Sequence, residues 1–483
     1  MGPPVRQGGE TNDMGVEDAV IAVDHMVAEA RAAQAEFETG GSQARYDRAA
    51  QAAAWAIMQP DRNRALAELA VASTGLGNVP DKIIKNHRKT LGLMRDIATA
   101  QTFGTLSDDP ATGLTVIARP IGVVGAVVPS TNPAATPANN VINALKGGNA
   151  IILSPSPKGV ACCEMLLEFI HAEFSKIGEN PKLVQMLPPP GGKAKTQRLL
   201  ELADLAVVTG SQDNVRRAYS SGTPAIGVGA GNVAVIVDET ADLAAAAAKI
   251  TASKTFDNAT SCSSENAVVV VDAIYDAFVA AMAAEGGALL PKAEEPAIVA
   301  KLWPDGEHLN REVIAQDADV LIEKLGLGDR MPAGTKFIAV ETDGIGPEHP
   351  LSGEKLSRVL ALYRARDYDD AVAITRRILA HQGAGHSLGI HTGDADRPLA
   401  LAARMPTCRV IVNQAHTFAT GGSFENGMPF SLSMGCGSWG GNSIDDNLHW
   451  RHFIQHSRVI RPIPSCEPEV EDIFADYWRE AGK

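Results

Sequence analysis

The chain has 483 residues, of which 45% are hydrophobic and 21% charged, and its formal net charge is −14. That length exceeds what one hydrophobic core usually supports, so two or more domains are expected, and the composition is that of an ordinary folded protein. An acidic chain has no surplus of basic residues to neutralise phosphates, which argues against nucleic acid and anionic membrane surfaces as partners while leaving room for a local basic pocket that holds a phosphorylated cofactor.

The first dozen residues are rich in Gly and Pro and are expected to be disordered; Met1–Glu10 has no apolar core and does not read as a signal peptide. Val16 to about Met58 is Ala-rich, with apolar positions three and four residues apart, and predicts helix. More helix is expected from Asp61 to about Ala100, broken at Gly75-Leu-Gly77. The texture then changes. Thr115–Val128 reads as strand, turn, strand; Asn132–Leu145 as helix; Ala150–Leu153 as strand; Val160–Phe174 as helix. Leu183–Leu187 and Leu205–Thr209 are short apolar strands, and Gln212–Tyr219 opens another helix. Strands alternating with helices imply an α/β fold with a doubly wound parallel sheet. Val233–Val237 starts a second round, with Ala241–Lys254 as its helix.

The most apolar window, roughly 267–284, is interrupted by Asp272 and Asp276 and is not expected to span a membrane. The six cysteines include no C-x-x-C pair, so no metal site is expected. Their sparse use in a long chain fits free thiols in a reducing cytoplasm.

One of them stands apart. Cys262 lies in Thr255-Phe-Asp-Asn-Ala-Thr-Ser-Cys-Ser-Ser-Glu-Asn266, among hydroxyls and amides, just before the apolar run Ala267–Val271. A thiol at the edge of a buried strand, surrounded by hydrogen-bond donors, is placed to act as a nucleophile; a buried structural cysteine is the other reading of that stretch. Gly210 and Ser211 stand where a strand gives way to a helix, a position that favours an anion such as a cofactor phosphate, although any strand-to-helix turn shares this pattern. Gly227-Val-Gly-Ala-Gly-Asn232 is a second Gly-rich turn, suited to close approach of a ligand or to a flexible connection.

Taken in order, these pieces resemble the aldehyde dehydrogenase superfamily, and within it the coenzyme-A-acylating branch, over about residues 60–460. Pro129-Ser-Thr-Asn132-Pro is similar to the loop that carries an oxyanion-stabilising Asn, and Gly148–Pro155 to the adenosine-side strand and turn. Thr209-Gly-Ser211 is similar to the pyrophosphate helix start, and Cys262 falls on the nucleophile. Glu354-Lys-Leu-Ser357 is similar to the segment whose Glu binds the nicotinamide ribose, and Gly435–Asn442 to the closing glycine loop of the acylating branch.

The resemblance implies two doubly wound Rossmann-like domains plus an oligomerisation arm. The NAD(P)-binding domain is expected over 1–228 with a returning segment over 425–455, the catalytic domain over 229–424, and the arm over 103–118 and 456–483. A homo-oligomer is implied, with dimer and tetramer both open. Catalysis falls to Cys262 and Asn132. Cofactor binding falls to Ser154, Lys158, Gly210, Ser211, Gly229 and Glu354. Lys158 follows Ser154-Pro-Ser-Pro157, where NAD-selective relatives often place an acid, and a missing acid with a nearby Lys leaves NAD and NADP both open with a lean to NADP. His386 matches a His position of the branch, with a structural hydrogen bond and contact with coenzyme A both open.

Hydrolytic members of the superfamily carry a Glu where this chain has Gly227. Water, with a pKa near 15.7, needs a general base to attack a thioester; a thiol, with a pKa of about 8.5, does not. Coenzyme A is therefore the expected acyl acceptor. The implied substrate wall of Asn139, Asn140, Thr260, Ser261, Ser263, His416 and Thr417 suits a short polar or anionic aldehyde. Gly75–Lys89, Thr255–Glu265 and the stretch from Val412 to Gly441 are most similar to the members acting on sulfoacetaldehyde. An acetaldehyde-type enzyme, an acyl-phosphate reductase and a non-catalytic assembly protein on the same fold are the alternatives.

Overall fold

A computed structural model describes residues 10–483, with side chains from residue 20 onward. Most of the segment expected to be disordered therefore lies outside the described residues. Four helices open the chain: α1 (Glu10–Thr39), α2 (Gln43–Met58), α3 (Pro60–Thr74) and α4 (Val79–Ile97). The helix expected to run unbroken from Val16 to Met58 is instead divided at Gly40-Gly41. A Cβ at Gly41 would lie 2.7 Å from the Glu38 carbonyl oxygen, and Ser42 caps α2 by accepting from the Arg45 N–H. The break at Gly75-Leu-Gly77 is present. Gly75 ends α3 at φ 70°, and Asn78 caps α4 by accepting from the Asp81 N–H.

The hairpin β1 (Gly104–Asp109) and β2 (Leu114–Pro120) follows. Then come β3 (Val123–Val128), α5 (Ala135–Lys146), β4 (Ala150–Pro155), α6 (Val160–Ile177), β5 (Val184–Met186), α7 (Lys193–Leu202), β6 (Leu205–Thr209), α8 (Gln212–Tyr219) and β7 (Ala225–Val228). Strands β3 to β7 form a parallel sheet in the order β5-β4-β3-β6-β7. Every residue of β3 is buried, as a strand covered on both faces requires. Tyr46, Ile57, Leu145, Ile151, Ile170 and Phe174 belong to the core packed around this sheet. Cys162 and Cys163 are in that core too, so they serve packing. The polar-rich α7 was not anticipated; it contributes Leu199, which sits against Gly125 of β3.

A second parallel sheet is built from β8 (Val233–Val237), β9 (Glu265–Val271), β10 (Gly287–Leu290), β11 (Phe337–Glu341), β12 (Val359–Ala365), β13 (Leu388–His391) and β14 (Val410–Val412). Its order is β10-β11-β12-β9-β8-β13-β14, and α9 (Leu243–Thr255) links β8 to β9. The last strand, β15 (Ile454–Ile460), returns to pair antiparallel with β2, making a three-stranded sheet β1-β2-β15. The terminal helix Val470–Ala481 leaves Ile473, Phe474 and Tyr477 exposed. Among the described residues no helix is long and apolar enough to cross a membrane.

In the five-stranded sheet the chain order reverses between β3 and β6. Their C-terminal ends, at Val128 and Thr209, open a crevice of the kind that receives dinucleotides. Cys262 precedes the N-terminal end of β9 in the other sheet. One pocket is walled by residues from both edges, including Asn132, Thr209 and Cys262.

Candidate active site

The nucleophile loop starts where α9 stops, at Thr255. Asp257, Asn258 and Ala259 then take φ values of 47°, 54° and 61°. Three consecutive left-handed residues, none of them Gly, cost on the order of 1–3 kcal/mol each and persist only where the surroundings hold them. The Asp257 carboxylate accepts from Lys82 Nζ (3.1 Å), Thr260 Oγ1 (2.7 Å), the Asn78 N–H (3.0 Å) and Lys85 Nζ. Asn258 Nδ2 donates to Ala315 O at 3.2 Å and Asp317 Oδ1 at 3.0 Å. Burial disfavours the Asp257 charge, but Lys85 and Lys82 outweigh it and hold the carboxyl below its ordinary range.

The same Lys85 ammonium donates to Thr260 Oγ1 (3.0 Å) and to Asn132 Oδ1 (2.9 Å). That bond settles how Asn132 is presented: its carbonyl is occupied, and its amide nitrogen remains as the donor. Asn132 and Cys262 line one cavity of about 320 Å³, together with Thr136, Glu354, Thr417 and Phe418.

Burial pushes the Cys262 thiol up to about 12, and Glu354 and Cys436 add to the rise, while its own backbone N–H and Arg409 oppose it. Burial likewise raises the Glu354 carboxyl to about 8, against the Gly231 N–H and the Lys355 and Lys254 charges. Glu354 Oε1 is buried without a hydrogen-bond partner. Next to Cys262 the chain is stripped of side chains. A Cβ at Gly231 would lie 2.2 Å from Cys262 O, one at Gly229 2.1 Å from Gln212 Nε2, and one at Gly227 2.6 Å from Val215 Cγ1. Gly227 belongs to β7 and not to a turn, so no carboxylate fits where hydrolytic enzymes carry theirs.

The structure brings Cys262, Asn132, Thr260, Ser261, Ser263, Thr417, Glu354, Gly210, Ser211 and Gly229 into one wall. Ser154 lies in the adjoining groove, where its hydroxyl meets Thr196 Oγ1 at 2.8 Å. Four expected positions fall elsewhere. Lys158 is exposed and outside the groove wall. Asn139 is buried, as is Asn140, because α5 turns Thr136 to the pocket and those amides to the interior. His416 is buried behind the wall, its Nε2 2.9 Å from Ser387 Oγ. His386 reaches the same hydroxyl at 2.8 Å, and burial, with Arg409, lowers its imidazole to about 3. Cys436 is a buried thiol over the Met434 carbonyl.

Lys85, Arg88 and Lys89 line the pocket and were not anticipated. The signal was available in the spacing of Lys82, Lys85 and Lys89, which fall at i, i+3 and i+7 on one face of α4. Among the described residues no group of His, Cys, Asp or Glu is placed to hold a metal ion.

The sequence pattern of the aldehyde dehydrogenase family matches residues 13–301. The chain belongs to that family. It is 55% identical over 465 residues to a sulfoacetaldehyde dehydrogenase (acylating) of Cupriavidus necator, covering 96% of this chain and 94% of the relative. It is 40% identical to one of Bilophila wadsworthia, covering 92% and 96%. Among solved family structures, an acetylating aldehyde dehydrogenase from Geobacillus thermoglucosidasius superposes with a TM-score of 0.89 at 32% identity, over 94% of this chain and 99% of that one.

Two outcomes follow from the geometry of this family member. Asp257→Asn leaves two buried ammonium groups without their counter-charge and should cost roughly 3–5 kcal/mol of stability, read as a fall in the thermal unfolding midpoint. Because the folded pKa is depressed, the stabilisation is present above the unfolded value. The difference between variant and wild type should hold from about pH 5 to 7 and shrink only below about pH 4. An unchanged midpoint at pH 7 would remove the anchoring role. Alkylation of Cys262 by iodoacetamide, followed by mass spectrometry of its peptide without cofactor, should still rise about tenfold per pH unit between pH 9 and 10. A plateau above pH 9 would show that burial does not control this thiol.

Proposed function

We propose that this chain is a CoA-acylating aldehyde dehydrogenase that converts sulfoacetaldehyde, NAD(P)+ and coenzyme A into sulfoacetyl-CoA, reversibly. The observation that carries the reaction class is a half-buried cysteine in a pocket whose neighbouring chain has no room for a side chain at Gly227. The names of its most similar relatives support the substrate.

The residues present fit a nicotinamide dinucleotide. The crevice between β3 and β6, the start of α8 at Gly210-Ser211 and the unpartnered Glu354 Oε1 are sites for its pyrophosphate and ribose. With a carboxyl pKa near 8, Glu354 is mostly protonated at neutral pH and can both give and accept a hydrogen bond with a ribose hydroxyl. When bound, the cofactor accepts a hydride.

Cys262, as its thiolate with the proton given up to solvent, adds to the aldehyde carbon. The oxyanion that forms is received by Asn132 Nδ2 and the Cys262 backbone N–H, and a donor so placed contributes about 3–4 kcal/mol in comparable sites. Loss of the hydride leaves a thioester on Cys262. The thiol of coenzyme A attacks that thioester, acyl-CoA leaves, and Cys262 is regenerated. Glu354 is the one carboxylate in the pocket wall among the described residues, and the ribose role assigned to it leaves no second carboxylate there to activate water.

Product analysis tests the class. With aldehyde, NAD(P)+ and coenzyme A, mass spectrometry should find acyl-CoA; brisk carboxylic acid formation without coenzyme A would defeat the reading. Cys262→Ala should abolish turnover. For the cofactor, no acid stands in Ser154-Pro-Ser-Pro157 at the end of β4, and the groove is lined by Lys193 and by Arg217, the latter paired with Asp213 at 3.1 Å. These features support NADP+ as the preferred partner. The expected kcat/KM advantage over NAD+ is about tenfold, and parity between the two would refute it.

A further inference from the structure

α4 enters the Cys262 pocket with more positive charge than the fold uses. Lys82 and Lys85 share Asp257, as described. Lys89 and Arg88, which also line the pocket, form no salt bridge among the described residues. Lys89 Nζ donates to the Gly421 carbonyl at 2.5 Å. Arg88 donates one guanidinium nitrogen to Phe418 O and Ser423 Oγ, both at 3.1 Å, and leaves its buried Nε unpartnered.

The hydroxyls around them are also unsatisfied. Thr136 Oγ1 and Thr417 Oγ1 line the same pocket and are buried without hydrogen-bond partners, at residues only 1% and 7% exposed. Buried donors left unpaired cost free energy unless a ligand completes them. Aromatic faces close the surroundings. The Arg88 guanidinium lies 5.1 Å from the Phe418 ring centre, and Lys89 Nζ lies 5.7 Å from that of Phe430.

We propose that Lys89, Arg88, Thr136 and Thr417 form an anion subsite that holds the sulfonate of the substrate while its aldehyde carbon meets Cys262. This rests on the sulfoacetaldehyde reading above. A sulfonate carries a permanent negative charge and three acceptor oxygens, which matches two cations without counter-ions and two free hydroxyls. Burial, with Arg88 and Lys85 beside it, lowers the Lys89 ammonium to about 7, and Cys262 is close enough that its charge bears on Lys89. An anion bound there restores the ammonium. Lys85 is not part of this subsite, because Asp257, Asn132 and Thr260 already occupy it.

The test is a specificity ratio, kcat/KM for sulfoacetaldehyde over kcat/KM for propanal, measured in the whole enzyme with its cofactor and coenzyme A. Lys89→Met should lower that ratio about 100-fold, and Lys89→Arg, which keeps the charge, should recover most of it. Should Lys89→Met fail to fold, Arg88→Met and Thr136→Val test the same subsite through its other donors, each lowering the ratio at least about tenfold. A ratio within threefold of wild type in all three removals overturns the subsite and leaves the substrate reading intact. A wild-type enzyme with no preference for sulfoacetaldehyde over propanal overturns both.

Discussion

One buried carboxylate, Asp257, holds the active site together. It gathers Lys82 and Lys85 from α4 and the Thr260 hydroxyl from its own loop. Through Lys85 it also reaches Asn132, in the loop that leaves β3. Three chain segments far apart in sequence are thereby fixed to one oxygen pair. The strained run Asp257–Ala259 depends on this anchoring, and Cys262 follows it by only a few residues. Ion pairs on a protein surface contribute little, but a buried cluster that loses one member leaves charge without compensation. The positions of Cys262 and Asn132, the proposed nucleophile and oxyanion donor, are thus tied to the same interaction.

A second constraint is steric. Glycines 227, 229 and 231 allow β7 and the following turn to lie directly against Val215, Gln212 and Cys262. The same tight packing leaves no room for a side chain at Gly227, where hydrolytic members of the family carry a carboxylate. Specificity for the acyl acceptor then follows from acidity and not from a dedicated residue: a thiol can discharge the thioester unaided, whereas water cannot. The same enclosure raises the Cys262 thiol far above its usual range.

Much of the fold was legible because local patterns are strong where elements are long or fully apolar. β3, β4, β6, β8 and β9 read as strands from continuous Val and Ile runs. The start of helix α4 followed from the Gly75-Leu-Gly77 break. The polar surface helix α7 gave no such signal, and the division of α1 from α2 required knowing that Gly41 packs against Tyr46 and Phe103. In the site, Cys262 and Asn132 were legible from their segments. Asn139 and His416 were misplaced, since lying near the pocket in sequence does not decide which face of a helix meets it.

The sequence by itself determined the α/β alternation, the candidate nucleophile Cys262, and the missing carboxylate at Gly227, because each is carried by residue type within a few positions. Only the tertiary structure decided that α4 lies beside Cys262, that Asp257 consumes Lys85 but leaves Lys89 and Arg88 uncommitted, and that Thr136 and not Asn139 faces the cavity. Those facts concern which charges find partners. Pairing across 172 residues of chain, as between Lys85 and Asp257, is settled by packing and burial, which no local pattern encodes.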